Sequence, residues 1–188
     1  AIADWENDTA AGLVRSLVET RASLDLPLNG LKLTGMADRL DLRRDGTAWI
    51  IDYKTGGTPS RKEARILLDP QLALEAYALI NGGFTDVGSM PVSGLFYLRL
   101  TGRDPFAERI DTDPEKPGRD EFLSPVDLAA KAVEEFVKLV GLLRSGRRGF
   151  LSRAIPRSAR DLSGEYDHLA RVAEWQTAVD GDGGDGDD

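Results

Sequence analysis

The stretch that decides the fold is LTGMADRLDLRRDGTAWIIDYKTGG, residues 33–57. It contains two runs rich in β-forming residues, 31–42 and 47–54. Between them lies Arg44-Asp45-Gly46, and Gly46 can adopt the positive φ that a three-residue hairpin loop requires. The stretch therefore predicts an antiparallel hairpin.

This hairpin is expected to bring charged side chains together. Alternation along the second strand places Asp52 and Lys54 on one face, and pairing across the three-residue loop places Asp38 opposite Asp52. Like charges opposite each other destabilise a sheet unless a cation compensates them. Mg²⁺ accepts carboxylate and carbonyl oxygens, which makes Asp38, Asp52 and the backbone carbonyl of Tyr53 candidate ligands. A metal bound there could activate a water molecule for hydrolysis, and Lys54 could then position that water.

The same residues allow a second interpretation. Asp38, Arg39 and Asp41 could form a solvated strand face, with Asp52 and Lys54 as a surface ion pair worth under about 1 kcal/mol. Spacing alone does not choose between a metal site and a solvated face.

Periodicity predicts the remaining elements. They are a helix over 2–18, a strand over 18–26, a helix over 63–80 whose true start lies near Pro70, a strand over 92–100, a short strand over 106–110 and an amphipathic helix over 126–143. On that helix Val126, Ala129 and Val133 are expected on the buried face. The pattern predicts an α/β fold with a mixed sheet, an antiparallel meander plus a further strand, flanked by helices.

Composition limits the classes of function. The chain has 188 residues, 41% of them hydrophobic, which suits one domain with a sizeable core. The net charge is -8, but five of the acidic residues lie in the last nine positions, so the preceding body is nearly balanced and a DNA partner is not excluded. The absence of cysteine excludes an iron–sulfur cluster and agrees with a cytoplasmic location. No apolar run approaches the roughly 18 residues of a membrane span, so no membrane partner is expected.

Three pieces in order, GMADRLD, IIDYKTG and PQL, resemble the PD-(D/E)xK nuclease superfamily in its RecB-like branch. The resemblance implies a restriction-endonuclease-like core and a metal-dependent deoxyribonuclease that uses Mg²⁺, with Mn²⁺ able to substitute. It implies that Asp38 and Asp52 bind the metal and that Lys54 serves the attacking water. Gln71 matches the family's helix glutamine, whereas Glu75 stands where the family has a tyrosine.

The segment YDHLARVAEW, residues 166–175, together with LTGMADRLD, is most similar to the C-terminal nuclease domain of the AddB family of helicase-nuclease subunits. This similarity implies a nuclease domain over 1–179, as the C-terminal part of a larger protein, that acts as an exonuclease with a helicase-nuclease partner subunit in double-strand break repair and recombination. The alternatives are a non-catalytic DNA- or subunit-binding module with a nuclease-derived fold, and a stand-alone CRISPR-associated exonuclease.

Smaller candidates lie outside the hairpin. Glu19 occupies a position where RecB-like nucleases often carry a metal-binding glutamate, although an exposed acid is the commoner explanation. The acid-free segment 136–160 contains Arg147, Arg148 and Arg153, which are candidate DNA contacts, or charges that complement a helix C-terminus. The Gly/Asp tail, 180–188, is predicted to be disordered.

Overall fold

The computed structural model describes residues 2–28, 30–55, 59–100, 105–116, 118 and 121–147. The helices are α1 (Ile2–Ala10), α2 (Arg61–Arg65), α3 (Gln71–Ile80) and α4 (Pro125–Arg144), and the strands are β1 (Leu13–Asp25), β2 (Lys32–Arg43), β3 (Ala48–Lys54), β4 (Val92–Arg99) and β5 (Phe106–Arg109). The strands form one sheet in the order β1-β2-β3-β4-β5. Neighbouring strands are antiparallel except β3 and β4, which are parallel, so the predicted mixed sheet is confirmed.

The hairpin of β2 and β3 has the predicted register. Leu42 pairs with Ala48, and the backbone N–H of Arg43 donates to the carbonyl of Thr47 at 2.8 Å. Gly46 has a φ of 81°, the left-handed conformation that the loop requires. The last pair of this register is Arg39 with Ile51, so Asp38 and Asp52 are the next residues of the two strands at the other end of the hairpin.

The connection from β3 to β4 carries α2 and α3. Ser60 caps α2, since its hydroxyl accepts from the N–H of Glu63 while the Glu63 carboxylate accepts from the N–H of Ser60. Pro70 is the N-cap of α3 and disfavours helical geometry in the residue before it. The single helix predicted over 63–80 is therefore two helices, and Pro70 marks the start of the second, as expected.

Different helices pack on the two faces of the sheet. The face that carries Ile50 forms the main core with α3 and α4, through side chains such as Leu79 and Leu128. The opposite face forms a smaller cluster around Phe96, against which the Trp5 ring of α1 lies with 5.4 Å between ring centroids. Asp52 and Lys54 share the face of Ile50, so the candidate site lies on the face covered by α3 and α4.

Two predicted boundaries and one residue of a predicted helix face, Val126, were wrong, whereas Ala129 and Val133 are buried as expected. The first helix ends at Ala10, and β1 begins at Leu13 rather than at residue 18. Leu13 and Leu17 are four residues apart, a spacing that fits one side of a helix and one side of a strand alike. On α4 the buried face is formed by Pro125, Leu128, Ala129, Ala132 and Val133, whereas Val126 is 53% exposed.

Residues 1–141 form one compact unit that contains the whole sheet. In the second unit, 142–188, the structure describes residues 142–147, where the N–H of Gly146 donates to the carbonyl of Leu143 at 3.2 Å. The predicted tail, 180–188, lies outside the described residues. Among the helices that the structure does describe, none has the length and apolar character needed to cross a membrane.

Candidate active site

The site begins where β2 and β3 separate. The last backbone pair of the hairpin is Arg39 with Ile51. Beyond it, the Asp38 carboxylate accepts a hydrogen bond from the backbone N–H of Tyr53 at 2.9 Å. A side chain thus replaces the carbonyl that would continue the antiparallel ladder. The result is a fork between the strands with the Asp38 carboxylate inside it.

Asp52 is a buried carboxylate beside this fork. The residue is 3% exposed, and Lys54 Nζ lies 2.8 Å from its Oδ2 atom. The contact is an ion pair without hydrogen-bond geometry, since Oδ2 has no hydrogen-bond donor among the described residues. Burial raises the pKa of Asp52, the Lys54 ammonium opposes this rise, and the nearby Asp38 charge adds to it. Asp52 is therefore a site at which further positive charge would be stabilising.

Lys54 is held from three sides. Besides Asp52, its ammonium donates to Gln71 Oε1 at 3.3 Å and lies 5.1 Å from the centre of the Tyr97 ring. Gln71 is the first residue of α3, which follows Pro70 directly. The ring of Tyr97 belongs to β4, the parallel neighbour of β3. Side chains of β3, α3 and β4 thus fix the Lys54 ammonium next to Asp52.

Glu75 joins this group, and sequence reasoning did not assign it a role. It lies one turn beyond Gln71 on α3, is 8% exposed, and its Oε1 accepts from Gln71 Nε2 at 3.1 Å. Burial raises the pKa of Glu75 to about 8, the Gln71 hydrogen bond opposes this rise, and the charges of Asp52 and Asp38 add to it. The carboxyl is therefore protonated at neutral pH. The only signal in the sequence was its four-residue spacing from Gln71.

The interpretation as a solvated strand face is wrong for β2. Arg39 is 9% exposed and Asp41 2% exposed, and the Arg39 guanidinium donates to both oxygens of Asp41 at 2.7 Å. The same guanidinium binds Glu6 of α1 at 2.6 Å and the Tyr53 hydroxyl at 3.2 Å. This network attaches α1 to the face of the sheet opposite the site, and on that same face it binds the Tyr53 hydroxyl.

Glu19 reaches the edge of the same region. It lies between Val18 and Thr20 of β1, which pair with Arg39 and Ala37 on either side of Asp38. Its backbone has a φ of 48°, in the left-handed region that a non-glycine residue rarely adopts. Glu19, Asp38 and Tyr53 line a hollow of about 330 Å³ together with Val18. The geometry therefore puts Glu19 near Asp38 on the open side of the fork.

A divalent cation fits this arrangement as an ion with few protein ligands. Within the described residues, no three His, Cys, Asp or Glu side chains are grouped so that they could hold a metal ion. Asp52 Oδ2 is nevertheless buried, and among the described residues it forms an ion pair with Lys54 but accepts no hydrogen bond, so it keeps lone pairs that a cation could use. Mg²⁺ is commonly bound through one or two carboxylates with waters completing its shell.

The predicted DNA contacts are mostly outside the described part of the chain. Arg147 is exposed, three residues beyond the end of α4. Arg148 and Arg153 lie outside the described residues. DNA binding by the segment 136–160 therefore stays a prediction.

Comparison with known proteins adds a family and several relatives. The model of the PD-(D/E)XK nuclease superfamily matches residues 1–176. The chain is similar to the uncharacterized protein RC0550 of Rickettsia conorii, with 39% identity over 74 residues, 38% of this chain and 9% of that protein. Uncharacterized proteins of Rickettsia felis (40% over 68 residues, 35% and 8%) and Rickettsia bellii (29% over 105 residues, 48% and 13%) are also similar.

The match thus spans only 8% to 13% of the length of these three relatives. Among solved structures, SSO0001 superposes with a TM-score of 0.37 and 14% identity over 74% of this chain and 55% of that chain.

Proposed function

Because the chain belongs to the PD-(D/E)XK nuclease superfamily, we propose that it hydrolyses phosphodiester bonds of DNA with the help of a divalent cation. The observation that carries the proposal is the short contact of Lys54 Nζ with Asp52 Oδ2, 2.8 Å, beside a second carboxylate, Asp38, in the fork. Paired carboxylates with an adjacent ammonium are the groups that metal-assisted hydrolysis needs.

Asp38, Asp52 and the backbone carbonyl of Tyr53 would hold the cation, and Glu19 would reach it through water or directly. The N–H of Tyr53 points towards β2, and the carbonyl of a strand residue points to the same neighbour as its N–H. Such a cation lowers the pKa of a bound water and neutralises charge on the phosphate. The proposed ligands are all oxygens, which favours Mg²⁺ with Mn²⁺ as a substitute.

The protein side chains would then orient the reaction. The Lys54 ammonium has three donors; one binds Gln71, while Asp52 holds the ammonium as an ion pair. Another donor would bind the attacking water or a phosphate oxygen. Burial against Tyr97 keeps the ammonium in one place, which reduces the reorganisation that the transition state requires. In this proposal Gln71 acts by holding Lys54.

A basic hollow supports DNA as the substrate. Its volume is about 460 Å³, and its lining includes Arg61, Lys62 and Arg65 of α2 and Lys131 of α4, with Glu121 as the one acidic residue. Lys62 and Lys131 are exposed, and neither forms an ion pair among the described residues. In this proposal the phosphates of the bound DNA contact these cations.

We also propose that the domain works as an exonuclease in a helicase-nuclease of the AddB type, with a partner subunit, in the repair of DNA double-strand breaks in the cytoplasm. The resemblance of the C-terminal segment supports this assignment. The matched region is at most 13% of the length of the relatives, which agrees with the part of the proposal that makes this chain one domain of a larger protein. Arg147, Arg148 and Arg153 would then contact DNA or the partner.

The proposal is tested by cleavage of end-labelled DNA, single- and double-stranded, in Mg²⁺ and in Mn²⁺. Asp52→Asn and Lys54→Ala are expected to abolish cleavage while DNA affinity stays nearly unchanged, because these groups act in the transition state. Asp25→Asn, an exposed acid of β1 paired with Lys32, is the control and should cleave normally. Equal cleavage by wild type and Asp52→Asn would refute the assignment and favour a non-catalytic binding module.

A further inference from the structure

We propose that Glu75 is a positioning residue that acts on Lys54 through Gln71. The inference rests on the proposed nuclease function, and it assigns a task to the residue that replaces the family's tyrosine. Three consecutive contacts carry it: Glu75 Oε1 with Gln71 Nε2 at 3.1 Å, Gln71 Oε1 with Lys54 Nζ at 3.3 Å, and Lys54 Nζ with Asp52 Oδ2 at 2.8 Å.

The amide of Gln71 is what makes Glu75 matter. A glutamine amide can rotate so that its NH₂ group and its oxygen exchange places. Lys54 has only donors and needs the oxygen, and an NH₂ group facing it would repel the ammonium. Because Glu75 Oε1 accepts from Nε2, the oxygen of Gln71 is turned towards Lys54. Glu75 therefore fixes the orientation of the amide on which one Lys54 donor depends.

A purely structural explanation of Glu75 is weak. The residue is 8% exposed, on a helix whose neighbouring Leu72, Ala76 and Leu79 belong to the main core. Its Oε2 is buried without a hydrogen-bond partner among the described residues, which costs free energy that a leucine would not. A buried polar group that lowers the stability of the fold is expected to serve the function of the protein. The hydrogen bond of Glu75 leads to Gln71 and through it to Lys54.

In the metal-free protein, the raised pKa of Glu75 agrees with this role, because the carboxyl is protonated at neutral pH. A neutral carboxyl retains one carbonyl-type oxygen that accepts from Nε2. It adds no negative charge to a region that already contains Asp38 and Asp52. Glutamine at position 75 would offer the same acceptor in nearly the same volume, whereas leucine would offer none.

The experiment measures kcat and KM for Glu75→Gln, Glu75→Leu, Gln71→Leu and the double variant Gln71→Leu/Glu75→Leu, beside wild type and Asp52→Asn. Glu75→Leu is expected to lower kcat about tenfold or more with little change in KM, as loss of a supporting contact to a reacting group usually does. Glu75→Gln should restore kcat to within about twofold of wild type. The double variant should be no slower than Gln71→Leu alone, because Glu75 acts only through Gln71.

Unfolding midpoints separate positioning from stability. Glu75→Leu should unfold at the same temperature as wild type or higher, since it removes a buried oxygen without a partner. Loss of activity in a protein that is at least as stable is the outcome that a structural role cannot produce. Normal kcat for Glu75→Leu in an enzyme that requires Asp52, or multiplicative effects in the double variant, would overturn the inference alone. An inactive wild type, or an active Asp52→Asn, would overturn the proposed function and this inference together.

Discussion

The buried carboxyl of Glu75 makes the stability of the metal-free protein depend on pH in a defined way, and Glu75→Gln should remove that dependence. Burial raises the pKa of Glu75 from 4.5 to about 8. Between these values the folded protein holds a proton that the unfolded chain releases. The free energy of unfolding therefore falls as pH rises, by up to about 1.4 kcal/mol per pH unit.

The size of the effect follows from the pKa interval. The range from 4.5 to about 8 sets an upper limit of about 5 kcal/mol for the stability that wild type loses over that window. Burial also raises the pKa of Asp52 and of Asp111, and both contribute with the same sign. These two residues are present in both proteins, so the difference between variant and wild type reports Glu75. Two other titratable residues near Glu75, Lys54 and Tyr97, are also the same in the two proteins, so they do not contribute to the difference.

The assay is urea unfolding of wild type and Glu75→Gln from pH 4.5 to 9 in the presence of a chelator. The two proteins should have similar stability near pH 4.5. The variant should then gain on wild type as pH rises, by at least about 2 kcal/mol at pH 8, and the difference should level off above that pH. Parallel stability profiles across the whole range would refute the conclusion that Glu75 is protonated in the folded protein at neutral pH.

Two further predictions concern the cation and the DNA. Asp38→Asn keeps an oxygen that can accept from the N–H of Tyr53 but loses the charge, so calorimetric titration should show Mg²⁺ and Mn²⁺ binding weakened at least about tenfold; unchanged binding would show that the ion lies elsewhere. The pair Lys62→Ala/Lys131→Ala should lower DNA affinity and reduce the slope of log affinity against log salt by about 1 to 2. Lys138→Ala, which removes a lysine of α4 paired with Glu135, should leave that slope unchanged, and an equal effect of both would argue against the basic hollow.

The hairpin could be predicted from the sequence because its information is local. Alternation in β3 separated Asp52 and Lys54 from Trp49 and Tyr53, and a three-residue loop with glycine at its left-handed position fixed the register. The proximity of Gln71 to Lys54 could not be derived in this way. It came from a family resemblance, because it depends on how α3 packs on the sheet.

The errors came from residues whose environment is set by distant parts of the chain. Arg39 and Asp41 look like surface charges in the sequence, but α1 covers them and Glu6 completes their network. Glu75 was assigned no role from the sequence, because only the packing of α3 on the sheet brings its hydrogen bond with Gln71 next to Lys54. The extent of β1 was underestimated because β2 supplies it with a pairing partner along nearly its whole length.

Insertions in the short loop of the β2–β3 hairpin should have different effects depending on whether the number of added residues is odd or even. Loops on a protein surface usually tolerate added residues at small cost. In this hairpin, one added residue taken up by β2 would turn Asp38 to the opposite face of the sheet, towards α1, whereas two would restore the face but displace the carboxylate by about 7 Å along the strand. Relatives that still cleave should therefore conserve the length of this loop more strictly than its residues, although it lies at the end of the hairpin remote from Asp38.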